Sequence, residues 1–155
     1  MARTTFEQDM FISAPCERVR THVATLMTRI EELHPFVIAA QHVKTTTAPD
    51  GSAIEHYRVR DRMKLGPFSI TFTYRVEMSV SAEGRLVSNA YQSPGIHLFN
   101  TTWCEPEGQG TRVREHIEIT APRLLMNITY NGAASAHQEL FKKLKARIEQ
   151  ENLPA

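Results

Sequence analysis

The sequence predicts an α+β fold in which one curved antiparallel sheet is covered by a long C-terminal helix. Three observations carry this. Phe68, Ile70, Phe72, Tyr74, Val76, Met78 and Val80 occupy every second position, separated by Ser, Thr, Arg and Glu. So long an alternation describes a strand with one buried face, because a one-residue slip would expose the whole apolar set. At the other end, Leu125, Thr129, Ala133, Ala136, Leu140, Leu144 and Ile148 form one stripe at helical spacing, with Gln138, Lys142, Lys145 and Glu149 opposite. The order is strand, short helices, six strands, long helix. An antiparallel sheet with one apolar face needs a cover, and only the last segment is long enough to supply it.

Taken from the N-terminus, Phe6, Gln8, Met10 and Ile12 alternate with polar residues and predict a first strand. It stops at Ser13-Ala14-Pro15, where Ser13 or Ala14 caps a helix that carries Pro15 in its first turn. Val19, Val23, Leu26, Met27 and Ile30 give that helical region its apolar stripe, and His34-Pro35 closes it. A β-branched segment from Phe36 to Thr47 forms the second strand, ended by the turn Ala48-Pro49-Asp50-Gly51. Ser52 to Leu65 is the third, with Tyr57, Val59, Met63 and Leu65 on one face and His56, Arg58, Arg60 and Arg62 on the other. Gly66-Pro67 turns the chain into the fourth strand, residues 68–80.

A fifth strand runs from Gly84 to about Tyr91 with its facing undecided, and Ser93-Pro94-Gly95 breaks it. The sixth, Ile96 to Cys104, places His97, Phe99, Thr101 and Trp103 on one face, and the seventh places Val113, Glu115, Ile117 and Ile119 together. Thr120-Ala121-Pro122 then leads into the long helix. Asn131-Gly132 is its weak joint, since a mid-helix glycine costs about 1 kcal/mol relative to alanine; the helix is expected to begin late or to kink there.

Composition narrows the function. At 155 residues, with 41% hydrophobic and 23% charged residues, the chain reads as one globular domain spanning 1–155. A net charge of +1 argues against nucleic acid as a partner. No apolar run approaches the roughly 18 residues of a membrane span, and the N-terminus lacks the apolar block of a signal peptide. Cys16 and Cys104 have no CxxC spacing, which suits free thiols in a reducing cytoplasm. Seven histidines show neither an HExxH nor an HxH pattern, and no cysteine cluster accompanies them, so neither a metal nor any other cofactor is expected. The chain is expected to be a monomer or a homodimer.

The stripe of the last helix is uneven. Its middle uses Gly132, Ala133 and Ala136, and its C-terminal end uses Leu140, Phe141, Leu144 and Ile148. Large residues fill a core, whereas small ones laid over a curved sheet leave a hollow.

Ala14-Pro15 followed by Val19, His34-Pro35 after the first helices, Trp103 followed by Gly110-Thr111-Arg112-Val113, and Ala136-His137 with Leu140 in the terminal helix resemble the START-like, or SRPBCC, superfamily. Within it the likeness is to the branch named polyketide cyclases/dehydrases, and it covers essentially the whole chain. The resemblance implies the helix-grip fold: a seven-stranded antiparallel sheet curled around the C-terminal helix, with a cavity for an apolar or amphipathic ligand. Its members include lipid and hormone binders, chaperone cofactors and some enzymes, so the fold does not choose among them.

If the apolar faces point inward, Asp61 falls between Val59 and Met63, Glu115 between Val113 and Ile117, and His97 beside Phe99 and Trp103. A carboxylate in an apolar cavity has its pKa raised and can move protons or anchor a ligand hydroxyl. These three are therefore the candidate catalytic groups; a bulge that turns a charge outward, or a neighbouring Arg that pairs it, is the competing arrangement. Tyr57, Phe72, Tyr74, Phe99, Trp103, Ala133, His137 and Phe141 are the candidate ligand contacts. Ordinary core packing is the alternative for the aromatics, and a rim position for His137. His34 either caps its helix or sits at a cavity mouth. The expected function is binding of a small hydrophobic or amphipathic molecule of the lipid, polyketide or isoprenoid kind. A cyclase or dehydratase using a cavity acid/base and a protein-interaction module are the alternatives.

Overall fold

The computed structural model describes residues 1–151. Seven strands form one antiparallel sheet: β1 Ala2–Ile12, β2 Val37–Thr47, β3 Ala53–Leu65, β4 Phe68–Val80, β5 Leu86–Gln92, β6 Ile96–Glu107 and β7 Gly110–Ala121. Their spatial order is β1-β7-β6-β5-β4-β3-β2, so every hairpin is local and β1 returns to pair with β7. Between β1 and β2 lie helix α1 Cys16–Ala24, a short 3-10 turn and helix α2 Ile30–Leu33; after β7 comes helix α3 Met126–Glu151. The sheet curls around α3, the helix-grip arrangement.

Three local expectations are corrected. β1 begins at Ala2, because Arg3, Thr4 and Thr5 continue the ladder opposite Thr120, Ile119 and Glu118. α1 starts after Pro15, which occupies the N-cap position without a side-chain cap; its carbonyl accepts from the backbone N–H groups of Arg18 and Val19. α3 is continuous through Asn131-Gly132. A Cβ on Gly132 would stand 3.1 Å from Met63 Cε, so the glycine admits the β3 side chain rather than breaking the helix. Gly110 is tighter still: a Cβ there would lie 2.7 Å from the Ile12 carbonyl and inside the Phe11 ring.

Cross-strand pairing settles which face of each strand is concave. Asp61 pairs with Phe72 and Val59 with Tyr74, which puts the odd residues of β3 and the even residues of β4 inside. Leu86, Ser88 and Ala90 of β5 face Thr102, Asn100 and Leu98 of β6, and Thr102 in turn faces Glu115 of β7. The concave face of β6 is therefore the even one. The main core runs from Ile12, Val19, Val23 and Val113 to Leu144 and Ile148 at the C-terminal half of α3. A smaller cluster, Phe6, Ile117 and Ile119 with Met126, Tyr130 and Ala133, seats the start of that helix. No helix among the described residues is long and apolar enough to cross a membrane. Cys16 and Cys104 are free, and burial pushes the Cys104 thiol up to about 11.

Candidate functional site

A cavity of about 400 Å³ lies between the N-terminal half of α3 and the concave face. It exists where the helix stripe is small: Thr129, Gly132, Ala133 and Ala136 form its ceiling, and Phe72, Val76, Met78 and Leu98 are among its floor residues. Most of the lining is apolar. Its ionisable residues fall into two groups held by different elements.

The first is Asp61 on β3 with Tyr74 on β4. Tyr74 donates its hydroxyl to Asp61 Oδ1 at 3.1 Å, while Oδ2 has no hydrogen-bond partner among the described residues. Asp61 is only 3% exposed. Burial raises its pKa to about 6, against the opposing pull of the Tyr74 hydrogen bond and of His137. Burial and the neighbouring carboxylate likewise push the Tyr74 phenol well above its ordinary value.

The second group is centred on Glu115. Gln8 of β1 donates to Oε1 at 2.8 Å; Asn100 of β6 donates to Oε2 at 2.7 Å; His137 Nδ1 lies 3.0 Å from the same oxygen. Thr102 completes the chain by donating to Asn100 Oδ1 at 3.0 Å, which fixes which end of the Asn100 amide faces the carboxylate. Burial alone would push the Glu115 carboxyl up. The His137 charge and the bonds from His137, Gln8 and Asn100 outweigh it, and the group is held below its ordinary value. His137 shows the mirror image: burial lowers it, Glu115 and Asp61 raise it more, and it ends above the ordinary histidine value. An ionised carboxylate only accepts, so His137 donates from Nδ1. His34 packs edge-on against His137 with ring centroids 5.9 Å apart. Burial and repulsion from His137 hold it neutral, with a pKa of about 3. Phe36 donates its backbone N–H to His34 Nδ1.

Of the residues expected from the sequence, the structure brings Asp61, Glu115, Phe72, Tyr74, Ala133, His137 and Phe141 together around this one cavity. His97, Phe99 and Trp103 are not among them. They occupy the odd, convex face of β6. There His97 bonds Asn89 and stacks on Tyr91, and the Trp103 ring lies under the Arg85 guanidinium. The physical reason is that the concave face of β6 carries Asn100 and Thr102, whose polarity makes it look like the outer one. Tyr57 is on the concave face but outside the cavity, packed on the main core with its ring edge-on to His42. His34 is the C-cap of α2, its backbone N–H donating to the Ile30 carbonyl, and it also lines the cavity. Gln8, Asn100 and Thr102 were not expected. A glutamine in the otherwise apolar row Phe6, Gln8, Met10, Ile12 was the one signal of an inward polar partner. Among the described residues no cluster of His, Cys, Asp and Glu is arranged to hold a metal ion.

Comparison with known proteins agrees with this architecture. A family described as "Polyketide cyclase / dehydrase and lipid transport" matches residues 3–149. No curated protein matches the chain by sequence. Among solved structures, the protein TTHA0849 of Thermus thermophilus is 20% identical, with a TM-score of 0.69 over 97% of this chain and 100% of that one. A START superfamily protein from Mycobacterium smegmatis is 16% identical, with a TM-score of 0.65 over 94% of this chain and 97% of the other. The Zhui aromatase/cyclase from Streptomyces sp. R1128 is 9% identical, with a TM-score of 0.65 over 95% and 96%. At such identities the likeness is one of fold.

Proposed function

The chain belongs to the polyketide cyclase/dehydrase and lipid transport family, and on that premise we propose that it binds a small amphipathic molecule with an apolar body and a carbonyl or hydroxyl end. The observation that carries this reading is the hollow of about 400 Å³ under the small residues of α3. That volume lies within the range of roughly 300–1,000 Å³ typical of small-molecule sites. Its apolar walls suit a hydrocarbon, polyketide or isoprenoid body. Asp61 Oδ2 and the Nε2 of His137 supply the polar contacts, one from each side. Glu115 is not a contact in this reading. Its oxygens accept from Gln8, Asn100 and His137, and its role is to orient His137 and raise its pKa. The free thiols suit a reducing compartment such as the cytoplasm.

Displacement of a lipophilic dye tests this. Wild-type protein should take up the dye and release it to an apolar phenol, and Ala133→Leu, which lowers the ceiling, should bind the dye more weakly. Dye uptake by Ala133→Leu equal to wild type would remove the cavity from the account.

A second reading, an acid/base enzyme of the cyclase or dehydratase kind, draws on the presence of Asp61 and His137 in the lining of one cavity. A buried carboxyl of pKa about 6 that shares a cavity with an imidazole of raised pKa is equipped to take a proton from a carbon next to a carbonyl and return one to oxygen. Incubation with a poly-β-keto thioester surrogate would separate the readings. Enzymatic turnover that falls at least 100-fold in Asp61→Asn, a typical size for general acid–base catalysis, favours the enzyme. Binding without turnover favours the carrier.

A further inference from the structure

The end of the molecule where the cavity opens is unlike the rest of its surface. The mouth lies between the β3–β4 hairpin (Leu65, Ile70), the β5–β6 turn (Pro94, Ile96), and the turn before α3 with the helix's first residues (Leu125, Ile128), all of which line the cavity. Of the nine large hydrophobic side chains exposed among the described residues, six belong to this end: Met1, Ile38, Phe68, Ile70, Leu124 and Ile128. Phe68 follows the Gly66-Pro67 turn at the hairpin tip and is 72% exposed; Leu124, in the turn leading into α3, is 97% exposed. Met1 joins them at the β5–β6 turn, where a Cβ on Gly95 would come within 3.2 Å of its Cε. Isolated surface leucines need no explanation, but apolar tips gathered on separate turns around one opening do.

The charges on the three segments that form the mouth share one sign. Residues 62–72, 91–99 and 122–138 contain Arg62, Lys64 and Arg123 and no Asp or Glu. Seventeen acidic residues in the chain leave these three segments bare. Arg62 and Lys64 also border a shallow groove shared with Ile38, Ile128 and Ser135, directly beside the mouth.

We propose that this end docks on the surface of an anionic lipid bilayer, with Phe68 and Leu124 entering the headgroup boundary and Arg62, Lys64 and Arg123 set against lipid phosphates. A bilayer meets both demands at once, hydrocarbon for the tips and negative charge for the cations around them. A second copy of the chain does not: joined by a two-fold axis, this end would oppose three cations to three cations. Docked in this way, the mouth faces the acyl region, so an apolar molecule passes between bilayer and cavity without crossing water. The surface does not depend on what the cavity holds, and Ala133→Leu, which narrows the cavity, should dock as wild type does.

Co-sedimentation of the full chain with vesicles tests the proposal. One set is phosphatidylcholine alone; the other is equal parts phosphatidylcholine and phosphatidylglycerol. Wild type should pellet with the mixed vesicles at low salt, weakly with phosphatidylcholine, and be released by added salt. Arg62→Gln/Lys64→Gln should weaken binding by roughly fivefold for each cation removed. Phe68→Ser/Leu124→Ser should abolish most of it while the circular dichroism spectrum stays native, since both side chains are exposed. Val80→Ser alters an exposed valine at the opposite end of β4 and should leave binding unchanged. Failure of wild type to bind the mixed vesicles at low salt would overturn the proposal. So would a loss in Val80→Ser equal to that in Phe68→Ser/Leu124→Ser. Retention on an immobilised acidic protein without any vesicle binding would assign the face to a protein partner instead.

Discussion

The two halves of α3 lie over the same concave sheet and do different work. Toward the C-terminus, Leu144 and Ile148 are 2% and 0% exposed and meet Ile12, Val19, Val23 and Val113 in the main core. Toward the N-terminus, Thr129, Gly132, Ala133 and Ala136 face a hollow. One half anchors the helix, and the other spans a gap that the first half keeps open. The difference teaches that the cavity is held by packing at its end, not by rigidity of its own walls.

The sharpest way to break that comparison is to remove bulk from each half in turn. Ile148→Ala should cost about 4 kcal/mol in chemical denaturation, because a fully packed site relaxes little around a lost side chain. Ile128→Ala, at the already hollow end, should cost less than about 1 kcal/mol, since it enlarges an existing space. Equal losses would mean the two halves are packed alike.

Next in size is the polar network that crosses the cavity wall. Glu115→Gln leaves His137 without its counter-charge in a buried site and should cost about 3 kcal/mol. The pH dependence sharpens this. Glu115 has a lowered pKa in the fold, so its stabilisation is present above its unfolded value of 4.5 and is lost as pH falls through the folded one. His137 has a raised pKa, so its share is fully present below 6.5 and is lost as pH rises through the folded value. The pair therefore stabilises most between about 4.5 and 6.5, and the Glu115→Gln deficit measured across pH should peak there.

Asp61 works in the opposite direction. Its folded pKa of about 6 lies above the ordinary 3.8, so its contribution is best below pH 3.8 and declines as pH rises through 6. Asp61→Asn should therefore stabilise the protein by roughly 2 kcal/mol at pH 8 and have little effect at about pH 3.5. The relief of a buried carboxylate is partly offset by the new amide's unpaired N–H groups. The smallest expected change is Ala133→Leu, which should alter stability by under about 1 kcal/mol while weakening dye uptake.

Much of this was legible in the residues. The seven-fold alternation of β4 and the small-to-large gradient along α3 gave the sheet, its cover and the place of the hollow, because both are periodic signals. The facing of β6 was not legible. Phe99 and Trp103 advertise an inner face, yet they lie on the convex side with His97, while Asn100 and Thr102 point inward to serve Glu115. Apolar periodicity fails where a buried charge imports polar partners, and those partners are set by cross-strand register, a long-range property. The same limit hid Gln8, which meets Glu115 from 107 positions away. The continuity of α3 through Gly132 was a tertiary override of local propensity, since Met63 occupies the space that a side chain would take.

The central claim is that a small apolar molecule occupies the space beneath the N-terminal half of α3. Methyl-resolved NMR during titration with 2-naphthol tests it most directly. Shifts concentrated on Val76, Met78, Leu98 and Leu140, with Ile12 and Ile148 unmoved, are the predicted result. Saturating amounts of the phenol that leave those four methyl-bearing residues unshifted, or that shift only exposed side chains, would contradict it.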